Sequence, residues 1–196
     1  MICGQKVRLR APERSDFESY ARWVNNKEIW QYLGEGPVFE SMTIATRDDA
    51  ENWYMKWLRD PNRRAFSVED LNGVLIGNCQ LMEIDWNARH AQLAITIGEP
   101  DYWSHGYGTD AICLLLDLAF NGYNLHRVFL TVVDFNERAK RCYEKCGFRV
   151  EGLQRQHDFV DGVYHDAVAM SILEDEYREL RRGTPGTGTS SEPIGA

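Results

Sequence analysis

Apolar and polar residues alternate along the first part of the chain in two different periods, which separate strands from helices. Residues 6–10 (KVRLR) alternate at every second position, as an opening strand does. Within 13–26 the apolar side chains recur at helical spacing, and Ser15 is expected to cap that helix. A second amphipathic helix is expected over 47–59, ending at Asp60-Pro61 because proline cannot continue a helix.

The middle of the chain has the pattern of a sheet. Two β-rich runs within 65–85 flank Asn72-Gly73, a dipeptide typical of tight hairpin turns. A further strand is expected over 91–99, where apolar residues on both faces indicate a central position. This strand ends at Gly98-Glu99-Pro100, since proline lacks the amide that a ladder needs.

Helical and strand periods then alternate through the rest of the patterned region. Two helices and three strands are expected, at about 107–121 (helix), 127–134 (strand), 137–146 (helix), 148–160 and 163–173 (strands). The last two strands are joined by a turn at Asp161-Gly162. This order predicts an α+β fold with a single mixed, mostly antiparallel central sheet flanked by helices.

Length and composition favour one domain. The chain has 196 residues, of which 43% are hydrophobic, enough for one sizeable core but cramped for two. Residues 1–182 are expected to form this domain. Residues 183–196 are rich in Gly, Ser, Thr and Pro without apolar periodicity, and are expected to be a disordered tail.

The net charge and the cysteines indicate which binding partners and which cellular compartment to expect. The formal net charge of −8 repels phosphate backbones, so nucleic acid is not an expected partner, whereas cationic amines are compatible. Neither a membrane-spanning apolar run nor a signal peptide is recognised. The five cysteines are odd in number and form no CxxC pair, which favours a cytoplasmic protein. Cys142 and Cys146 are interpreted as ordinary thiols, and no metal is expected.

Residues 101–111 (DYWSHGYGTDA) join the central strand to a helix that starts near Tyr107. Two glycines allow a ligand close to the main chain, and a helix amino end carries about half a positive charge. The spacing is neither a Walker loop nor a dinucleotide fingerprint. The stretch predicts an anion site, although a plain glycine-rich turn explains the local pattern equally well. The backbone amides in question belong to Ser104, His105, Gly106, Tyr107, Gly108 and Thr109.

The same stretch, followed one strand later by 136–148 (NERAKRCYEKCGF), resembles the GNAT superfamily of acetyl-CoA-dependent N-acetyltransferases. The similar branch contains ribosomal-protein alanine and spermidine acetyltransferases, and the resemblance covers about 6–175 in element order. It implies that the loop from Trp103 to Gly108 wraps the pyrophosphate of coenzyme A with backbone amides. His105 stands where Lys or Arg is common in the superfamily. Because histidine is mostly uncharged at neutral pH, weaker electrostatic help is expected there.

Asn136 and Tyr143 lie seven residues apart, so both can face the same side of a helix. From the residues alone, Asn136 suits an N-cap and Tyr143 a core ring. The resemblance implies that Asn136 also touches the pantetheine arm of the cofactor. It places Tyr143 beside the thioester sulfur, where the hydroxyl reprotonates the departing thiolate.

The implied reaction is direct attack of an amine on the thioester carbonyl. Backbone amides near Thr96, Ile97 and Gly98 are expected to receive the negative charge that develops on oxygen. For this the central strands must splay, and the expected point is after Ile97. The alternative is a plain central strand whose amides are all used by its neighbours.

The residue that accepts the amine's proton is open between two acidic candidates. Glu83 and Asp85, at the end of a middle strand, are candidates for a relay through water, although such hairpin-end carboxylates are often merely solvated. Gln92 stands where related sequences often have glutamate, which removes one familiar base.

The acceptor pocket is expected near the loop between the first two helices. Glu35 and Glu40, with Trp30 and Tyr32, suit a cationic amine. Trp30 and Tyr32 would equally well anchor the loop to the core. His165 faces either the pocket or solvent.

Three functions remain in competition at this point. The leading prediction is an N-acetyltransferase that uses acetyl-CoA as cosubstrate and a protein N-terminus, a polyamine or a small amine as acceptor. The alternatives are an acetyl-CoA-binding sensor or inactive relative, and an interaction module whose glycines only form turns. The exposed closing hairpin makes a homodimer possible.

Overall fold

The computed structural model describes residues 1–32 and 45–183, which contain one mixed sheet of eight strands. The spatial order is β1-β2-β3-β4-β5-β6-β8-β7, and the β5–β6 pair is parallel while the others are antiparallel. The strands are β1 (Ile2–Cys3), β2 (Val7–Arg10), β3 (Arg64–Asp70), β4 (Leu75–Asp85), β5 (His90–Ile97), β6 (Arg127–Val133), β7 (Arg149–Val160) and β8 (Val163–Leu173).

Six helices flank this sheet within the described ranges, so the predicted fold class is confirmed. They are α1 (Phe17–Val24), α2 (Lys27–Trp30), α3 (Arg47–Arg59), α4 (Tyr107–Asp117), α5 (Glu137–Lys145) and α6 (Glu174–Gly183). The loop carrying Glu35 and Glu40 lies outside the described residues, as does the predicted tail beyond Gly183. None of the described helices is long and apolar enough to cross a membrane.

The start of α1 differs from the prediction at Ser15. This residue lies inside a 3₁₀ turn, Arg14–Asp16, and does not cap the helix. Asp16 directly precedes α1, and its Oδ2 accepts the Glu13 amide at 2.8 Å, which closes a capping box around the 3₁₀ turn. The Asp16 carboxylate is buried, and hydrogen bonds from Arg10 and Ser67 fix its orientation.

Both predicted hairpins are confirmed by their turn geometry. Gly73 has φ 86° in the β3–β4 turn, where the Asp70 carboxylate accepts the Val74 amide. Asp161 and Gly162 have φ values of 50° and 81°, the left-handed pair that a tight two-residue hairpin requires. The closing hairpin therefore turns at the predicted dipeptide, between the paired residues Val160 and Val163.

The two central strands part early. β5 is fifth of eight strands, which confirms its central position, but it pairs with β6 only from His90↔Arg127 to Gln92↔Phe129. The splay therefore begins after Gln92, and the prediction that it begins after Ile97 is wrong. β6 keeps its ladder with β8 along the full strand, so beyond Phe129 it follows β8 and no longer β5.

Candidate active site

The parting of β5 and β6 opens a cavity of about 740 Å³. One wall is the second half of β5 with the loop that leads into α4. The other wall is the end of β6 with the start and inner face of α5. Of the sequence-predicted site residues, those on the cavity wall are Tyr32, Glu83, Thr96, Ile97, Ser104, Gly106, Gly108, Thr109, Asn136 and Tyr143.

The loop before α4 has the left-handed backbone that presents amides to an anion. Ser104 and Gly106 have φ values of 63° and 87°. The helical bonding of α4 starts with the Asp110 amide, which donates to the Gly106 carbonyl at 3.0 Å. The amides just before Asp110 therefore lack an intrahelical partner, as an anion site needs.

Two side chains of this loop point away from the cavity wall. His105 is exposed, and the Tyr107 ring packs edge-on against Tyr102 with a centroid distance of 4.9 Å. Neither side chain is among those that line the cavity. Any contact of these two residues with an anion is therefore left to their backbone amides.

The amino end of α4 is tied to the edge of the sheet by Asp110. Its Oδ2 accepts the amides of Lys6 and Val7 at 2.7 and 3.0 Å. A short, glycine-containing start of a helix is thereby held in place by a strand distant in sequence. The glycines permit the loop conformation, and Asp110 supplies the rigidity.

Only part of the predicted strand amides face the cavity. The Gly98 amide donates to the Ile76 carbonyl at 2.8 Å, so its predicted role as a free donor is wrong. Amides alternate sides along a strand, so Thr96 also faces β4 and Ile97 faces the open side. Gly98 is needed for packing instead, because a Cβ there would clash with the Trp23 ring.

Trp103 and Arg138 close the cavity on the side of the α4 loop. The indole Nε1 of Trp103 donates to the Ile97 carbonyl at 2.7 Å. The Arg138 guanidinium lies 3.7 Å above the Trp103 ring and 5.4 Å from the Tyr32 ring centroid. Burial lowers the pKa of Arg138 from its ordinary value, but an arginine stays charged throughout the working pH range.

Three cations of α5 line the same cavity: Arg138, Arg141 and Lys145. They were missed by sequence reasoning, although their spacing of three and four residues places them on one helical face. Together with the amino end of α4 they make this part of the cavity electropositive.

Tyr143 and Asn136 sit on the α5 wall as their spacing predicts. Tyr143 is buried, with its ring packed edge-on to Phe148 at 5.7 Å. Burial raises the pKa of the Tyr143 hydroxyl well above its ordinary value, so the group is protonated at neutral pH. The Asn136 Oδ1 accepts the Ala139 amide at 3.1 Å, which confirms the predicted N-cap and leaves its Nδ2 group for other contacts.

Three thiols meet behind the start of α4. The Cys142 sulfur lines the cavity and lies 3.2 Å from the Thr109 hydroxyl. A hydrogen bond from Cys146, with help from Thr109 and Lys145, lowers the pKa of Cys142 to about 7. Hydrogen bonds with Cys113 and Cys142 raise the pKa of Cys146. Within the described ranges, no group of side chains is arranged to hold a metal ion.

The two candidate bases separate in the structure. Glu83 lines the cavity at an irregular point of β4, where its φ is 52°. The Asp85 carboxylate accepts the amides of Asn87 and Ala88, both at 2.8 Å, and these bonds lower its pKa. The alternative of a merely solvated hairpin-end carboxylate therefore fits Asp85, which holds a turn and is not among the residues that line the cavity.

Aromatic residues cover the end of the cavity that faces α2. The Tyr32 ring packs on the Phe135 ring with a centroid distance of 5.7 Å, and Tyr32 also lines the cavity. Tyr32 therefore both holds its segment to the core and forms part of the pocket. His165 lies 3.3 Å from the Asp134 carboxylate and against the Phe135 ring at 4.6 Å. It is not among the lining residues, and strand β7 contributes His157 and Asp158 to the wall instead.

Comparison with known proteins gives consistent matches. The family profile described as the acetyltransferase (GNAT) domain matches residues 6–149. The spermidine N(1)-acetyltransferase of Vibrio cholerae is 36% identical over 174 residues, covering 89% of this chain and 96% of the relative. The spermidine N(1)-acetyltransferase of Escherichia coli K12 is 33% identical over 186 residues, with 95% of each chain covered.

Solved structures agree with this match. The Vibrio cholerae spermidine N-acetyltransferase in complex with CoA and spermine superposes with a TM-score of 0.79 at 35% identity, covering 88% of this chain and 98% of the other. A dodecameric form of the Vibrio cholerae enzyme gives a TM-score of 0.75 at 34% identity, covering 91% and 98%.

Proposed function

The chain belongs to the GNAT acetyltransferase family and is an acetyl-CoA-dependent N-acetyltransferase, and from this premise we propose that its acceptor is a polyamine such as spermidine. The observation that carries the proposal is the similarity, over nearly the whole chain, to two relatives named for spermidine acetylation. Because these relatives are enzymes, the comparisons do not favour a sensor without turnover.

The distribution of charge in the cavity supports a cationic acceptor. Cations and the amino end of α4 occupy the part of the wall formed by α4 and α5, where the phosphates of the coenzyme belong. The lining carboxylates are Glu83 and Asp158, which come from β4 and β7 instead. One cavity thus offers a basic wall for coenzyme A and acidic groups for an amine.

The predicted coenzyme contacts fit this division of the cavity. We assign the pyrophosphate to the backbone amides from Ser104 to Thr109, which include His105, Gly106, Tyr107 and Gly108. Ile97 offers its amide to the thioester or pantetheine, beside Thr96 and Gly98 on the same strand. The Nδ2 group of Asn136 is the remaining donor for the pantetheine arm.

The proposed chemistry is one acyl transfer without a covalent enzyme intermediate. The neutral amine nitrogen attacks the thioester carbonyl and forms a C–N bond, and the carbon–sulfur bond then breaks. Tyr143 donates its proton to the departing thiolate and afterwards recovers a proton from solvent, which takes up the proton lost by nitrogen. The products are an N-acetylated amine and the free thiol of coenzyme A.

Deprotonating the acceptor is the demanding step. A lysine-like amine has a pKa of about 10.4, so at neutral pH the neutral form costs ~4 kcal/mol. Glu83 is the predicted base that remains on the cavity wall, and we propose that it relays the amine's proton through water. Gln92, also on the wall, is not basic.

We further propose that the protein assembles with copies of itself through the closing hairpin. Large apolar side chains are exposed there, at Val150, Leu153, Phe159, Val163 and Tyr164. A dodecameric structure is known for the Vibrio cholerae relative, which supports self-association. A cytoplasmic location, expected from the cysteine pattern, stays a prediction.

The test is release of the CoA thiol over a panel of acceptors. We expect turnover with spermidine and spermine at far higher kcat/KM than with a peptide α-amine or a small monoamine. Preferred turnover of the peptide would contradict the polyamine assignment. Binding of acetyl-CoA without thiol release on any amine would instead support the sensor.

A further inference from the structure

Asp158 is a buried carboxylate that borders the cavity and has one neighbouring side chain that can carry a positive charge, His157. The residue is 7% exposed and is part of the cavity wall. Its Oδ1 contacts the Nδ1 of His157 at 3.3 Å, and His157 is its one ion-pair partner among the described residues.

The rest of the chain cannot supply a cation to Asp158. Residues 33–44 and 184–196 contain no lysine, arginine or histidine. Every basic side chain therefore lies in the described ranges, and none other than His157 comes within ion-pair distance of this carboxylate.

An irregularity in β7 directs this carboxylate to the cavity. The β7–β8 register breaks between Gln154 and Asp158, and Gln156 has φ 54°. The Gln156 amide leaves the ladder and donates to the Asp166 carboxylate at 2.8 Å. Extra residues of this kind re-aim the side chains that follow, which are His157 and Asp158 here.

Asp158 belongs to the hairpin of β7 and β8, whose tip meets α2 beside the cavity. Lys27 of α2 bridges to Asp161 at the tip of the same hairpin at 3.0 Å, so the hairpin and α2 meet at this end. Tyr32, just after α2, lines the cavity there. The cations that suit phosphate belong to a different element of the wall, helix α5.

A buried carboxylate is costly unless a cation pairs with it. We propose that Asp158 binds a second, protonated amine of the acceptor while the reacting nitrogen lies at the thioester. This role rests on the proposed polyamine function and makes Asp158 the residue that selects acceptors by their second positive charge. A monoamine leaves the carboxylate unpaired, so it is a poor substrate.

The test compares spermidine with hexylamine, a primary amine that lacks a second charge, in wild type and Asp158→Asn. We expect the KM for spermidine to rise about tenfold or more, with kcat changed by a few-fold at most. The KM for acetyl-CoA and the kcat/KM for hexylamine stay the same. Asp158→Glu, which keeps the charge, restores part of the preference for spermidine.

Asp161→Asn is the matched control, because it removes a carboxylate from the same hairpin on the exposed side. It is expected to leave the spermidine preference unchanged. If Asp158→Asn keeps the wild-type preference, or weakens both amines equally, the inference is overturned while polyamine acetylation stands. If the wild type does not acetylate polyamines at all, the proposed function fails and the inference fails with it.

Discussion

At the scale of single residues, the protonation state of Tyr143 is set by burial. A hydroxyl with a raised pKa stays protonated through mildly alkaline pH, as a group that donates a proton to a thiolate must. We therefore expect Tyr143→Phe to lower kcat about 10- to 1000-fold and to leave the Kd for acetyl-CoA unchanged. Steady-state kinetics and calorimetry measure the two quantities.

Tyr123→Phe is the control for this substitution, since Tyr123 packs on Trp86 away from the cavity. It is expected to keep wild-type kcat. Full activity of Tyr143→Phe would remove the tyrosine from the proposed mechanism. If Tyr143→Phe lowered the affinity for acetyl-CoA as much as it lowered kcat, the role of Tyr143 would be to pack the site.

Cys142 reports on occupancy of the cavity. With its pKa lowered to about 7, the reactive thiolate fraction grows as pH rises through neutrality. We expect its alkylation by iodoacetamide to accelerate as the pH rises from 6 to 8, and acetyl-CoA to slow it. Peptide mass spectrometry measures the rate at each thiol.

Cys3 is the internal control, because it is exposed and lies outside the cavity. Its alkylation is expected to be independent of acetyl-CoA. Equal protection of both cysteines, or none at Cys142, would contradict the placement of the coenzyme beside α5.

Sequence reasoning located residues whose role follows from local spacing. Asn136 was predicted as an N-cap because it stands between a strand and a helix, and that geometry is local. The choice between Glu83 and Asp85 stayed open and Asp158 was missed, because these roles depend on a turn and on a strand irregularity. Neither feature has a period that the sequence displays.

At the scale of elements, the stability of α4 and the anion site share one anchor. Asp110→Ala leaves the amides of Lys6 and Val7 without their acceptor; Val7 is buried, and an unsatisfied buried donor costs about 1–3 kcal/mol. We expect Tm to fall by several degrees and acetyl-CoA binding to weaken. Thermal melting with and without acetyl-CoA gives both quantities.

Asp101→Ala tests whether this effect is specific, because Asp101 is an exposed acidic residue before the same helix. It is expected to change neither Tm nor binding. A stable Asp110→Ala protein with wild-type affinity would show that α4 is held by its apolar face alone.

Element type was predictable where an apolar period extends over several turns or a whole strand. The long helices, the central strands and both hairpin turns were predicted correctly for this reason. Shorter elements such as β1 and α2 were missed, since two to four residues cannot display a period. The point of splay was missed because it depends on which neighbour β6 follows.

At the scale of the whole molecule, self-association is expected to involve the apolar hairpin. Burying its exposed side chains against another copy would remove a large apolar surface from water. In analytical ultracentrifugation, we expect the wild type to sediment as an oligomer and Leu153→Asp to sediment as smaller species. A monomeric wild type would contradict this assembly.

The central claim is that the cavity between β5 and β6 brings acetyl-CoA and a polyamine together for direct transfer. Its most direct test is mass spectrometry of spermidine after incubation with acetyl-CoA and catalytic amounts of the wild-type protein. The account predicts spermidine carrying one acetyl group, in amounts equal to the CoA thiol released. Unmodified spermidine, under conditions where calorimetry shows that acetyl-CoA is bound, would contradict it.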